Sequence, residues 1–313
     1  MTEPVRPPSV PPGLGLGCWQ FGNMGWGPSD AEKSTLLIRE AFDLGIRHLD
    51  TAQGYGAGRS EEVIGSAIAP FSADVYVSSK AHASGREEPP KIIEATLRRL
   101  RRSWLDLFYI HWPRTGLDLR PMMEALEALR AQGKIRFIGV SNFRVPDLEN
   151  ASRGGRIDAY QVCYNLLWRS PEDEIIPWCR EHGVALVTYS SIAQGLLSDT
   201  PRSPSSFEKN DDRAKTLYYR KDVWPHVQKS VAAMRDAAAR HGTPLSTLAL
   251  RWVLGRPGVV SSLVGARSKA QLEANVAAAA GRNPPEVDDE LSRLSTDAMR
   301  HIPDVGNIFN FYP

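Results

Sequence analysis

Residues 49–65 read LDTAQGYGAGRSEEVIG. A strand-like run, 46–50, ends in the acid Asp50, and a glycine-rich turn then carries one phenol, Tyr55. From about Ser60 the pattern turns helical. Strand, polar loop and helix form the repeating unit of a parallel β/α fold, and a β/α barrel presents its chemistry at the C-terminal ends of its strands. Gly54, Gly56 and Gly58 are expected to let the backbone turn so that the phenol points over the barrel mouth.

Working outward, apolar strands are expected at 13–17, 46–50, 75–80, 107–111, 135–140, 159–162, 184–189 and 259–264. Helical patterns separate them. The first opens on a capping-box spacing, Ser29 to Glu32. The third, 89–103, sets Ile93, Leu97, Leu100 and Trp104 on one face. Others are expected from Pro121 to Gly133 and at 145–153, 172–182, 224–240, 244–254, 269–280 and 288–300. This is the pattern of a single (β/α)8 TIM barrel over 13–313. It carries a long Ser-, Pro-, Asp- and Arg-rich loop after strand seven, 190–222, and an extra C-terminal helix. Residues 1–12 are a Pro-rich lead-in, read as mobile or extended. A doubly wound dinucleotide fold would want G-x-G-x-x-G opening its first helix. GLGLGCWQFG and GYGAGRS both miss that spacing.

The formal net charge of +2 gives no reason to expect nucleic acid or a membrane surface. The basic run Arg98, Arg99, Arg101 and Arg102 reads as a solvated helix face. Three distant cysteines, Cys18, Cys163 and Cys179, without CxxC spacing, argue against a disulfide framework or a zinc site, so no metal and a reducing cytoplasm are expected. MTEPVRPPSVPPG lacks the apolar core of a signal peptide, and no run of about 18 apolar residues could span a bilayer. A monomer is expected, with self-association left open.

Polar residues recur at the strand ends: Asp50 with Tyr55 beyond it, Lys80, His111, Ser141 with Asn142, Gln161, and Tyr189. Each alone has an ordinary reading, as a cap, a solvated strand end, a packed imidazole or a loop aromatic. Together, an acid, a phenol, an amine and an imidazole at the ends of three consecutive strands make a proton-transfer apparatus. A phenol has a reference pKa near 10, too high for efficient proton transfer at neutral pH. A nearby ammonium favours the phenolate and is expected to lower that value. An aspartate would hold the ammonium, and a histidine would orient a carbonyl oxygen.

The blocks GLGCWQFG, LDTAQGYGAGRSEEVIG, VSSK, LDLFYIHWP, GKIRFIGVSNF, YQVCYNLL, SIAQGLL and VGARSKAQLEAN stand in order along the chain. Through them it resembles the aldo-keto reductase family from about Gly13 to Asn275. The resemblance implies a catalytic tetrad of Asp50, Tyr55, Lys80 and His111, with Tyr55 the general acid for carbonyl reduction and the base in the reverse direction. It also implies a nicotinamide cofactor lying extended across the barrel mouth. Ser141, Asn142 and Gln161 match positions that hold the carboxamide, and Tyr189 the aromatic under the nicotinamide ring. Ser190, Ser191, Ile192, Gln194, Gly195 and Leu196 match the pyrophosphate side. Gly17, Cys18 and Trp19 match the end of the first strand, with Asp50 also near the cofactor. Gly265, Arg267, Gln271 and Asn275 match the adenosine end. Arg267 suits a 2′-phosphate, so NADPH/NADP+ is expected over NADH. Cys18 is read as packing or pocket lining, not as a nucleophile.

Trp19, Trp26 and Trp112, with Tyr55 and His111, are expected to wall the pocket for a small carbonyl or alcohol substrate. The tail aromatics Phe309, Phe311 and Tyr312 would reach this pocket or pack under the barrel. A second reading stays open: potassium-channel β subunits share the fold and bind the cofactor while serving a partner. The short lead-in before the first strand weighs toward the enzyme.

Overall fold

Asp30 opens the first helix. Its carboxylate accepts the backbone N–H of Lys33 at 2.9 Å, a side-chain cap on one of the orphan donors of a helix start. A computed structural model describes residues 9–23, 29–200, 203–207 and 211–309. The eight strands are Gly13–Gly17 (β1), His48–Asp50 (β2), Tyr76–Ala81 (β3), Leu105–Ile110 (β4), Ile135–Ser141 (β5), Ala159–Cys163 (β6), Ala185–Tyr189 (β7) and Val259–Val264 (β8). They pair in sequence order, all parallel, and β8 returns to β1, so the sheet is a closed barrel. The helices are Ala31–Asp43 (α1), Arg59–Ile68 (α2), Glu88–Leu100 (α3), Arg120–Ala131 (α4), Val145–Ser152 (α5), Ile175–Glu181 (α6), Trp224–Arg240 (α7), Leu245–Leu254 (α8), Lys269–Ala279 (α9) and Pro285–Met299 (α10). The result is a (β/α)8 barrel with a second helix between β7 and β8 and a further one after α9.

Several local expectations differ. The cap of α1 is Asp30, not Ser29, which puts Lys33 in place of Glu32 at the third helical position, so the helix starts on a single side-chain cap and not on the expected capping box. Strand β2 begins at His48 because its ladders to β1 and β3 begin there, at Gly15↔His48 and His48↔Tyr76. Helix α3 stops at Leu100, where Arg101 turns left-handed at φ 55° and the Arg102 N–H returns to the Leu97 carbonyl. Trp104 therefore lies beyond the helix, under the guanidiniums of Arg102 and Arg136 at 5.1 and 4.8 Å from its ring. Helix α6 is shorter than expected, with a separate 3-10 turn at Ser170–Glu172 before it. The basic run is also only half solvated. Arg98 and Arg101 are exposed, but Arg99 binds Glu61 and Arg102 binds Asp106 at 2.9 Å with both side chains buried.

The barrel has two apolar layers. The main core lies between sheet and helices and includes Leu16, Ile38, Ile64, Val77, Phe108, Ile138 and Leu186. A smaller cluster, Val10, Leu107, Tyr109, Ala159, Val187 and Leu263, fills the barrel interior. Within the lead-in, Val10 is fully buried in this cluster, and Ser9 bonds the Asp158 carbonyl at 3.0 Å. The interior below the mouth is thus closed by side chains, as barrels of this size require. The long loop after β7 carries 3-10 turns at Ala193–Gly195, Pro204–Ser206, Asp212–Lys215 and Leu217–Tyr219. Arg235 of α7 pins it by donating to the carbonyls of Ser198 (2.8 Å), Leu196 (3.3 Å) and Thr200 (3.2 Å).

Candidate active site

Strand alternation gives the VSSK block two faces. Ser78 and Lys80 point into the barrel, and Ser79 points out, where its hydroxyl donates to Glu61 at 2.6 Å. Register sets Asp50 beside Ser78 and Gly17 beside Asp50. Lys80 is fully buried. Its ammonium pairs with Asp50 Oδ1 and donates to the Thr51 carbonyl at 2.8 Å. Asp50 Oδ2 takes two further donors, Ser78 Oγ at 2.6 Å and Gln161 Nε2 at 2.9 Å. A buried ion pair persists only when its remaining polar atoms are satisfied, and three donors on one carboxylate do that here.

Close backbone packing holds the Tyr55 loop. At Gly56, φ is +64° and a Cβ would stand 2.0 Å from the Gly22 carbonyl oxygen. At Gly58, φ is +98° and a Cβ would meet Arg99 Nε at 2.4 Å. Arg99 Nε in turn donates to Glu61 Oε2 at 2.6 Å. These two glycines are needed where they stand. Gly54 is not, since it has neither a positive φ nor an atom within 4 Å of its would-be Cβ.

The half-buried Tyr55 ring stacks on Trp19 at 5.8 Å and meets His111 edge-on at 5.9 Å. The Lys80 ammonium nitrogen lies 5.3 Å from the Tyr55 ring centroid. Asp50, Tyr55, Lys80 and His111 are thus brought together from β2, its loop, β3 and the end of β4. The expected lowering of the phenol pKa is not found. Burial pushes Tyr55 well above its ordinary value, and the Asp50 carboxylate adds to the rise. Burial also lowers Lys80, against the pull of Asp50. His111 is held well below its ordinary value by burial, by the Lys80 charge and by His82. The phenol therefore stays protonated and the imidazole neutral.

Some of the residues expected at the cofactor are bonded to one another. Ser141 Oγ donates to the Gln161 carbonyl at 2.9 Å. The Asn142 amide, at φ 62°, donates to the His111 carbonyl at 3.1 Å and accepts from Tyr189 Oη at 2.8 Å. After Tyr189 the backbone turns left-handed at Ser190, Ala193, Gln194 and Gly195. Ser191 is buried against Ser262, Ile192 is half-buried and Leu196 is buried. Gln194 is 8% exposed, and neither amide atom has a hydrogen-bond partner. An orphaned buried amide costs about 1–3 kcal/mol, and a polar ligand along this loop would answer it. Gly265, Arg267 and Gln271 are exposed and Asn275 half-buried, with Arg267 N donating to Gln271 Oε1 at 2.7 Å. The Arg267 charge also reaches Asp211 of the long loop. This donor set fits an elongated anionic cofactor.

On the substrate side, Trp112 is buried, and Trp19 meets Phe309 edge-on at 5.7 Å, so that part of the tail reaches the mouth. Trp26, Phe311 and Tyr312 lie outside the described residues. Cys18 is a structural thiol: burial pushes it up, its N–H donates to the Asp50 carbonyl at 2.9 Å, and its carbonyl accepts from Ser60 at 2.8 Å. Gln20 and His82 are additions that the sequence reading missed. Gln20 Nε2 ties the Gly17 carbonyl (2.9 Å) to that of Ala266 (3.2 Å). The His82 ring stands 5.6 Å from His111, a position that two-residue spacing from Lys80 could have flagged. Among the described residues no cluster of His, Cys, Asp and Glu could hold a metal ion, and no helix is long and apolar enough to cross a membrane.

The sequence model of the Aldo/keto reductase family matches residues 13–294. The chain is 32% identical over 278 residues to the aldo-keto reductase YhdN of Bacillus subtilis, covering 83% of each chain. It is 29% identical to the NADH-specific methylglyoxal reductase of Escherichia coli, covering 91% of this chain and 95% of that one. A solved aldo/keto reductase from Klebsiella pneumoniae in complex with NADP and acetate superposes with a TM-score of 0.74 at 29% identity, covering 91% and 92% of the two chains. Together with the closed barrel and the convergent strand ends, these matches establish that this chain belongs to the aldo/keto reductase family of NAD(P)H-dependent oxidoreductases.

Proposed function

We propose that the protein reduces an aldehyde or ketone to the alcohol, reversibly, with Tyr55 as proton donor and NADPH preferred. One observation carries this reading: a phenol kept protonated by burial, set between the Lys80–Asp50 pair and a neutral His111. When bound, the nicotinamide cofactor supplies the hydride. Tyr55 Oη–H donates to the carbonyl oxygen as it gains negative charge, a contribution of about 10²–10⁴ in rate. Lys80 then faces the phenolate, which solvent reprotonates. Neutral His111 can donate one hydrogen bond to the same oxygen without competing for its proton. In the reverse direction Tyr55 takes the alcohol proton.

Ser141, Asn142 and Gln161 would hold the carboxamide, because amide and hydroxyl groups can both donate and accept. Tyr189 offers its ring face to the nicotinamide, and Ser190, Ser191, Ile192, Gln194, Gly195 and Leu196 line the pyrophosphate side, where the Gln194 amide awaits a partner. Gly17, Cys18 and Trp19 border the nicotinamide end. Gly265, Arg267, Gln271 and Asn275 serve the adenosine end, and the exposed Arg267 guanidinium favours a 2′-phosphate. Trp19, Trp112, His111 and Tyr55 wall the substrate slot, with Phe309 behind Trp19.

The test is NADPH consumption with methylglyoxal, 4-nitrobenzaldehyde and a wider carbonyl panel. The name of the Escherichia coli relative puts methylglyoxal first on that panel. Turnover abolished by Tyr55→Phe supports the enzyme. Tight NADPH binding with no turnover across the panel would favour a cofactor-sensing subunit instead. Equal or better use of NADH would overturn the cofactor preference, and the NADH-specific relative makes that comparison necessary.

A further inference from the structure

Asp50 is also held by groups that the proposed proton transfer does not use. Its Oδ2 accepts the Ser78 hydroxyl proton at 2.6 Å. Ser78 Oγ lies 2.9 Å from His48 Nε2, two residues before Asp50 on the same inward face of β2. A serine hydroxyl has one proton. Since that proton goes to Asp50, the proton in the His48–Ser78 bond must come from the imidazole. His48 is therefore the neutral Nε2–H tautomer, with a bare lone pair on Nδ1. The surroundings agree. Nδ1 is buried without a hydrogen-bond partner, and a Cβ on Gly15 would come within 3.0 Å of it. The ring packs edge-on against Tyr76 at 4.9 Å. Burial lowers its pKa to about 4, so it carries no charge near neutrality.

We infer that His48 and Ser78 are positioning residues for the proton-donating site: a one-way relay of hydrogen bonds, His48 to Ser78 to Asp50, that fixes the Asp50 carboxylate and through it the Lys80 ammonium under Tyr55. This rests on the reading of Tyr55 as proton donor. Two neutral donors in series strengthen the bond to Asp50 by polarising one another. They add no positive charge, so they do not compete with Lys80 for the carboxylate. Without the relay, Gln161 would be the remaining donor on Oδ2, and Gln161 is also expected to serve the cofactor carboxamide. Ser78 lets Asp50 stay fixed while Gln161 answers a ligand.

The test uses the full-length protein with NADPH and 4-nitrobenzaldehyde. Ser78→Ala is expected to lower kcat about tenfold, the effect of losing one hydrogen bond to a charged group, while NADPH affinity stays within about twofold. Ser78→Thr, which keeps the hydroxyl, and His48→Gln, which keeps a donor near the Nε2 position, should each recover kcat to within about threefold of wild type. His48→Leu should lower kcat on its own and add nothing in the Ser78→Ala background, because His48 acts only through Ser78. A wild-type kcat in Ser78→Ala, or full additivity of the two losses, would overturn the relay. A readout independent of turnover is the ¹⁵N NMR signature of His48, expected to show a protonated Nε2 and a bare Nδ1. The opposite tautomer sinks the inference even if no aldehyde is reduced. Tyr55→Phe separates the two claims. Wild-type turnover in that variant would remove the proton-donor reading, whereas loss there with no effect at Ser78 removes the relay alone.

Discussion

Replacing Asp50 by Asn tests whether the Lys80–Asp50 pair is what keeps a fully buried lysine charged. Burial lowers Lys80 from its ordinary 10.5, and the Asp50 carboxylate is the largest influence in the opposite direction. Asn keeps the shape and removes the counter-charge, so the side chain should stay folded as an amine. Holding a lysine neutral costs about 1.4 kcal/mol for each pH unit below its unfolded value. From the reference 10.5 down to pH 7 that is about 5 kcal/mol, at the upper end of the range of about 3–5 kcal/mol for breaking a buried ion pair. The sign follows from proton counting. Between the folded and unfolded values the unfolded chain binds more protons, so stability rises with pH. Wild type shows that slope only above its own folded Lys80 value, and Asp50→Asn extends it toward lower pH. The penalty should therefore shrink from about 5 kcal/mol at pH 7 to about 2 kcal/mol at pH 9. Urea unfolding of both proteins at several pH values measures it, with thermal shifts as a check on two-state behaviour. A penalty that is flat or grows with pH would show that Lys80 remains an ammonium without Asp50 and would refute the argument.

Three other outcomes are expected. If Arg267 binds the 2′-phosphate as proposed, Arg267→Ala should weaken NADPH binding about 10–100-fold and leave NADH, which lacks that phosphate, within about twofold in fluorescence titration. Gly56→Ala should destabilise by about 1–3 kcal/mol and lower kcat, since its Cβ meets the Gly22 carbonyl oxygen at 2.0 Å, while Gly54→Ala, open on all sides, should match wild type in Tm and turnover. Acid unfolding should show His48. With a folded value of about 4 against an ordinary 6.5, it contributes stability present above pH 6.5 and lost as pH falls toward 4, about 3 kcal/mol in all, and His48→Gln should remove that component from urea titrations.

Much of this was legible in the chain itself. Strand–loop–helix alternation carried the barrel, and Asp50, Lys80, His111, Ser141 and Tyr189 lie within a residue of the C-terminal ends of their strands, while Gln161 sits at the middle of β6. What was not legible depends on tertiary surroundings. Ser29 and Asp30 are both good caps one residue apart, and only the turn geometry selects Asp30. The direction of the Tyr55 shift needed the burial of the phenol and the closeness of the Asp50 carboxylate to it, neither of which spacing encodes. Gln20 gave no signal, because a lone glutamine after a strand is ordinary. Its bond to Ala266, 246 positions away, exists only because the barrel closes.

The VSSK block shows where barrel chemistry gets its rigidity. Ser79 faces outward to Glu61, which also takes Thr96 at 3.0 Å and Arg99 at 2.6 Å from α3, and Arg99 in turn packs beneath Gly58 of the Tyr55 loop. Ser78 faces inward to Asp50 and His48. Strand β3 is thus clamped on both faces just before Lys80, and the outer clamp also reaches the loop that carries Tyr55. The relative placement of amine and phenol is set by buried wall residues, and the long segment after β7 contributes none of these bonds. A barrel built this way can vary that segment, and with it the ligands it admits, without disturbing the proton donor.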